Sequence, residues 1–215
     1  MMTQHKLAVV ALLLLLASCR DPAVEHRLSQ EQLAWQGYRV GEVLRFGHAR
    51  DGRVRTYRIT EVQDRLQTDY RGYASPVPLP QSKPPKYQEL TVLAQRTDTV
   101  GQSPRPVLSL ELHYDLASVT PALWATAQWE TFYQAELPLN EVNGGTAIDT
   151  VRYAARLLPS ATFGSTTYAS VIRVDNRRYP GTTPLQRETR RLYYALGKGV
   201  VAFEEVGNDL WYRLP

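Results

Sequence analysis

The chain has 215 residues, a single cysteine and a formal charge of +4, with 43% hydrophobic and 21% charged residues. One cysteine excludes a disulfide framework, and the arginines are dispersed without any recognition motif, which argues against nucleic acid as a partner. The length is sufficient for one domain that buries most of its unfolded surface without covalent staples.

In chain order, the first feature is an apolar run from Leu7 to Cys19, preceded by Lys6 and ended by Arg20-Asp21-Pro22. A signal-peptide apolar region spans about 7 to 15 residues, whereas a membrane-spanning helix needs roughly 20, so this run suits export and removal. Leu16-Ala17-Ser18-Cys19 resembles the lipobox of bacterial lipoproteins. That resemblance implies cleavage between Ser18 and Cys19, diacylglycerol on the Cys19 thiol, and a fatty acyl group such as palmitate on the new amino terminus. An odd thiol in an exported chain has no internal partner, and lipidation gives it a use. The mature chain is then expected to lack a disulfide, a thiol nucleophile and a thiolate metal ligand. Two or more acyl chains anchor stably where one gives only marginal attachment.

Arg20 stands at the second mature position, where an Asp in lipoproteins favours inner-membrane retention. The resemblance therefore leans toward the outer membrane, on its periplasmic or surface face. The expected organisation is a cleaved leader over residues 1–18, a lipidated amino terminus and tether over 19–36, and one β-rich domain over 37–215. Losing the leader removes Lys6 and no acid, so the charge stays nearly balanced. Anionic lipid headgroups or lipopolysaccharide are the favoured electrostatic partners, reached from the membrane anchor, with an envelope protein, lipid or glycan as the wider class.

From Tyr38 onward, short β-rich runs are punctuated by Gly, Pro, Asn and Asp, which predicts an all-β, mainly antiparallel fold. The expected architecture is a single curved sheet, a half-barrel or a β-roll or sandwich, with few short helices. Predicted strands are Arg39 to Phe46, Arg53 to Val62, Leu66 to Tyr70 and Tyr87 to Arg96. The clearest alternation runs from Leu108 to Leu116, where every second residue is apolar. Further strands are expected at Val151 to Leu158, Tyr168 to Val174, Arg190 to Leu196, Val200 to Val206 and Leu210 to Leu214. Leu123 to Ala135 carries signals for both states. Thr120-Pro121 and the alanines suit a helix, while Trp129, Thr131, Phe132 and Tyr133 lean it to strand. The proline-rich stretch from Ser75 to Lys86 predicts an extended surface loop, since proline removes ladder donors. Gly52, Asn143-Gly144-Gly145 and Gly207-Asn208 supply turns able to reach positive φ.

The segment Tyr193-Tyr-Ala-Leu-Gly-Lys-Gly-Val-Val-Ala-Phe-Glu204, with Tyr168-Ala-Ser-Val-Ile-Arg-Val174 before it, resembles the closing region of uncharacterised Bacteroidota-type lipoproteins. The resemblance carries no known activity. Gly197 and Gly199 fit a bulge or sharp bend within sheet. A phosphate-cradling loop would need a helix start and a fuller glycine spacing.

Ser109, Glu111, His113 and Asp115 share the polar face of one predicted strand, which invites a hydrolase or metal reading. Alternate strand positions lie about 6.6 to 7 Å apart, beyond the roughly 2.6 to 3.2 Å needed for proton transfer, so a solvated face is expected instead. His113 and Asp115 would need a third ligand from another strand to hold a metal. Glu111, Glu130, Glu204 and Glu205 show no pairing in sequence, and no catalytic residue, ligand-binding residue, metal ligand or cofactor is assigned. The aromatic groups Trp124, Trp129, Phe132 and Tyr133, then Tyr193, Tyr194, Phe203, Trp211 and Tyr212, suit packing or the concave side of a ligand-binding sheet. The half-open β-barrels of the envelope carriers LolA and LolB provide an analogy for the latter, without shared motifs.

The favoured expectation is a lipid-anchored envelope protein acting as a non-enzymatic binding or assembly module. A carrier of lipid or hydrophobic ligand in a half-barrel is the second reading, and an envelope hydrolase the third.

Overall fold

The computed structural model describes residues 22–70, 83–98, 108–116, 122–176 and 188–215. The expected leader, the lipobox with Ser18 and Cys19, and most of the proline-rich loop lie outside these residues.

Apolar side chains at alternate positions organise the chain into one antiparallel sheet. A first meander runs through β2 (Val43–His48), β3 (Val54–Thr68), β4 (Lys86–Arg96), β5 (Leu108–Asp115), β6 (Ala122–Trp129) and β7 (Phe132–Glu136). A second runs through β8 (Ala155–Phe163), β9 (Thr166–Asp175), β10 (Thr189–Ala195), β11 (Gly199–Glu205) and β12 (Asp209–Arg213). Pairing of β12 with β2 joins them, so β7 and β8 become the two ends of a nearly closed barrel-like sheet of eleven strands. A short β1 (Glu25–His26) adds to β4 in parallel. The mainly antiparallel, curved fold expected from sequence is the one found.

Residues of one register fill the interior. Leu108, Leu110 and Leu112 of β5 are fully buried, as are Leu44 and Phe46 of β2, Tyr57 and Ile59 of β3, and Leu192 and Tyr194 of β10. At the centre, the rings of Phe46, Tyr57, Phe203 and Trp129 meet at centroid distances of 4.8 to 5.6 Å. These tilted arrangements suit the aromatic quadrupole. A second apolar cluster lies apart from this one and holds Phe163, Val171, Tyr193, Ala195, Val201 and Ala202, with Tyr168 and Tyr212 against it. Ser170 has φ of 50°, and the β8–β9 tip reaches β12, where a Cβ on Gly164 would meet the Tyr212 ring at 2.6 Å.

Several boundaries differ from expectation, each for a local reason. The polar Gln63-Asp64-Arg65 does not interrupt β3, because it pairs with Thr91, Leu90 and Glu89 of β4. Leu123 to Ala135 is a hairpin rather than one strand, turning at Glu130 (φ 50°) and Thr131 between the paired Trp129 and Phe132. The start of Val151 to Leu158 is helical. Asp149 caps the first turn of α3 (Thr150–Tyr153) by accepting from the Val151 and Arg152 N–H groups, and Ala154 at φ 49° ends it. Helix α2 (Leu139–Asn143) precedes α3 in the β7–β8 link. Gly197 and Gly199 shape the β10–β11 hairpin turn, and the register shifts fall at Thr189/Arg191 and Tyr193/Tyr194.

The largest departure concerns residues 22–36, expected as a tether. They form β1 and then α1 (Gln30–Leu33), started by a Ser29 and Gln32 capping box. Leu28 and Trp35 are buried, and the Leu28 N–H donates to the Gln88 side chain at 3.0 Å. Trp35 Nε1 donates to Asn143 of α2, the Tyr194 hydroxyl donates to the Trp35 carbonyl, and the Val200 N–H donates to the Tyr38 hydroxyl. The segment is a strap packed into the barrel, because its apolar residues gain more from burial than a free tether offers.

Candidate functional site

Ser109, Glu111 and His113 alternate with the buried leucines on one face of β5, and two of them meet more closely than the strand repeat predicts. Glu111 Oε1 lies 3.1 Å from His113 Nδ1, since the two side chains lean together from alternate positions. The neighbouring imidazole, against a smaller effect of burial, holds the Glu111 carboxyl below its ordinary range. His113 also packs on the Tyr87 ring at 5.7 Å. Among the described residues, no three His, Cys, Asp or Glu side chains gather in a way that would hold a metal ion.

The four glutamates separate into three places. Glu111 stays on β5. Glu204 receives Arg191 at 2.8 Å and the Tyr193 hydroxyl at 2.5 Å on the surface of β10 and β11. Glu130 and Glu205 converge on Arg55 at one mouth of the barrel. Arg55 Nη1 and Nη2 donate to the two Glu205 oxygens at 2.8 and 2.9 Å, with both side chains nearly fully buried. Its guanidinium lies 3.9 Å from the Trp211 ring centroid, and Trp211 Nε1 donates to the same carboxylate. Glu130 accepts the Tyr57 hydroxyl at 2.5 Å and sits 3.6 Å from Arg96. Burial, then repulsion from Glu130, pushes the Tyr57 hydroxyl well above its ordinary pKa. His48 completes this mouth, with Nδ1 2.6 Å from Asp51 and its ring 4.8 Å from Trp211. The Arg55 fork is occupied by Glu205, so the cluster ties strands together and presents no open nucleophile and base.

Two tyrosines that donate to glutamates set an alkaline limit on the fold. Burial and an accepting carboxylate push Tyr193, beside Glu204, and Tyr153, beside Glu141, up to about 12. The folded state therefore holds these protons more tightly than the unfolded chain, whose tyrosines titrate near 10. Their contribution is complete below about pH 10 and drains away as pH rises toward 12. Ultraviolet titration of tyrosinate alongside urea melts is expected to show stability falling over that window. A flat profile from pH 9 to 12 would contradict the assignment.

A concavity of about 390 Å³ lies between the β8–β9 tip and the end of β12. Arg45, Lys198 and Arg213 give it a cationic wall, Thr166 and Tyr168 supply hydroxyls, and Val43 and Leu214 add apolar surface. Local packing builds it. Arg213 is fixed by donating to the Lys198 carbonyl and to Glu42, both at 2.6 Å. Leu214 lies across β2 because position 47 is glycine, where a Cβ would meet its side chain at 2.9 Å. Arg45 and Lys198 are exposed, and among the described residues neither forms an ion pair. Such a wall suits an anionic group bearing hydroxyls, held by charge and hydrogen bonds. Its residues are scattered from position 43 to 215, so no local run of sequence marks it.

The expected aromatic groups fall mostly into packing. Trp129, Phe132, Tyr194, Phe203 and Trp211 are core residues, while Tyr193 and Tyr212 belong to the second cluster. Fold and site together define a barrel-like β protein with a basic surface cleft. Comparison of the chain with protein families, characterised proteins and solved structures finds no match.

Proposed function

We propose that the chain is a lipid-anchored cell-envelope protein, held through Cys19, whose barrel binds an envelope component without catalysing a reaction. The anchor follows from the order of Lys6, the apolar run and Leu16-Ala17-Ser18-Cys19. The observation carrying the binding role is the contrast between two cationic sites. Arg55 is spent within the fold, whereas Arg45 and Lys198 line an open cleft beside Thr166 and Tyr168. An anchored domain meets envelope components at raised effective concentration, so modest contacts suffice.

The test is photo-crosslinking from position 168 in cells, combined with fatty-acid labelling. Acyl label is expected on the native chain and absent from Cys19→Ser, which should accumulate as uncleaved or soluble precursor. Crosslinks are expected to fall at least severalfold with Arg45→Glu and Lys198→Glu together. Label retained by Cys19→Ser would refute the anchor, and crosslinks indifferent to the two charges would refute the cleft.

A second reading, a carrier of lipid or hydrophobic ligand, draws on the unpaired β7 and β8 ends and the apolar interior between them. The ring cluster around Trp129 occupies that interior and favours the first reading. Native mass spectrometry of the purified mature domain separates them, since a carrier retains lipid.

A further inference from the structure

We propose that the end of the β3–β4 hairpin where Thr68 pairs with Lys86 and β1 joins, bearing Val24, Tyr70, Lys83 and Lys86, is a docking surface that rests on an anionic bilayer. This rests on the acylation of Cys19 proposed above and adds which part of the domain touches the membrane.

Chain length sets the constraint. Only Arg20 and Asp21 separate Cys19 from Pro22, where the described fold begins. A fully extended chain covers at most about 3.3 to 3.6 Å per residue, so Val24 lies within roughly 18 Å of the acylated residue. The strap packs into the barrel immediately afterwards, which leaves no slack to lift the domain away.

Three segments converge at this point. The Lys86 N–H donates to the Val24 carbonyl at 2.8 Å, and the Asp69 N–H donates to the Pro85 carbonyl at 2.9 Å. Val24 is 62% exposed and Tyr70 is 71% exposed, so two apolar groups face outward at this end. Lys83 is exposed and Lys86 half-buried beside them. Arg27 is paired with Glu25, so that pair adds no net charge beside the two lysines. Tyrosine suits the boundary between headgroups and acyl chains, and lysines near an anionic surface are attracted to it. The other end of β3, at Val54, then points away from the membrane by roughly 45 Å along the strand.

The experiment uses the full chain from a bacterial host that acylates lipoproteins, reconstituted into phosphatidylcholine vesicles with or without phosphatidylglycerol. An environment-sensitive dye is attached through Tyr70→Cys, or through Val54→Cys as the distant reference, since acylated Cys19 does not react. The dye at position 70 is expected to shift to an apolar signal and to be quenched severalfold more than at position 54 by a headgroup-depth quencher. Adding Lys83→Glu and Lys86→Glu should weaken that response on the order of tenfold on phosphatidylglycerol vesicles and leave it unaltered on phosphatidylcholine. With acyl chains on Cys19 verified by mass, equal and water-like signals at positions 70 and 54 would overturn the docking surface while leaving the anchor standing. An unmodified Cys19 in the same mass spectrum would overturn the anchor and the docking with it. A shift at position 70 that persists without vesicles would assign the surface to a protein contact and overturn the bilayer.

Discussion

Replacing Arg55 with methionine while Glu205 remains is expected to destabilise the fold by about 3 to 5 kcal/mol, the range for stranding one member of a buried ion pair. The guanidinium supplies both parallel donors to Glu205 and covers the Trp211 ring. Its loss leaves the carboxylate with the Trp211 N–H as its remaining partner among these contacts, in a site almost closed to water. The Coulombic gain of the pair does not set the figure, because two charges also cost much to desolvate. The penalty comes from the partner left behind. Arg55→Met with Glu205→Leu should therefore recover most of the loss, and urea denaturation of the two single variants and the double variant provides the check. A double variant as unstable as Arg55→Met alone would show that the pair fixes strand register.

Trp35→Ala should be comparably damaging, at about 3 to 5 kcal/mol, as expected for truncating a large buried ring. The indole is 1% exposed, packs 6.3 Å from the Tyr194 ring and binds Asn143, so its removal opens a void between strap, β10 and α2. Neighbouring contacts cannot collapse easily into that space. A Cβ on Gly37 would meet the Gly197 carbonyl oxygen at 2.2 Å, so the backbones already touch there. The urea midpoint should fall by about 1 to 2 M, with earlier proteolysis near α1. A change below about 1 kcal/mol would make the strap peripheral to the fold.

Particular residues explain how much the sequence disclosed. The alternation from Leu108 to Leu116 gave β5 almost to its ends, because that strand has one buried face and one wet face. Gly207 and Asn208, both at positive φ, gave the β11–β12 turn. Helix α3 was hidden because four residues bear too little periodicity, and the Asp149 cap was its only local mark. Arg55 shares the inward register of Tyr57 and Ile59, a legible anomaly, yet nothing in β3 specifies that Glu205 is the residue that meets it. The cleft was illegible for the same reason, since β12 pairs with β2 across most of the chain. The strap was misread because its apolar positions are sparse, and only their convergence on Gln88, Asn143 and Tyr194 makes them structural.

That strap also determines how force enters the molecule. A pull on the amino end is met first by the two-residue β1 ladder and then by Trp35 and Tyr38, wedged against the β10–β11 turn. Load applied at the amino end thus spreads into two separate meanders before any long strand is stretched, which makes the junction a mechanical fuse guarding the barrel.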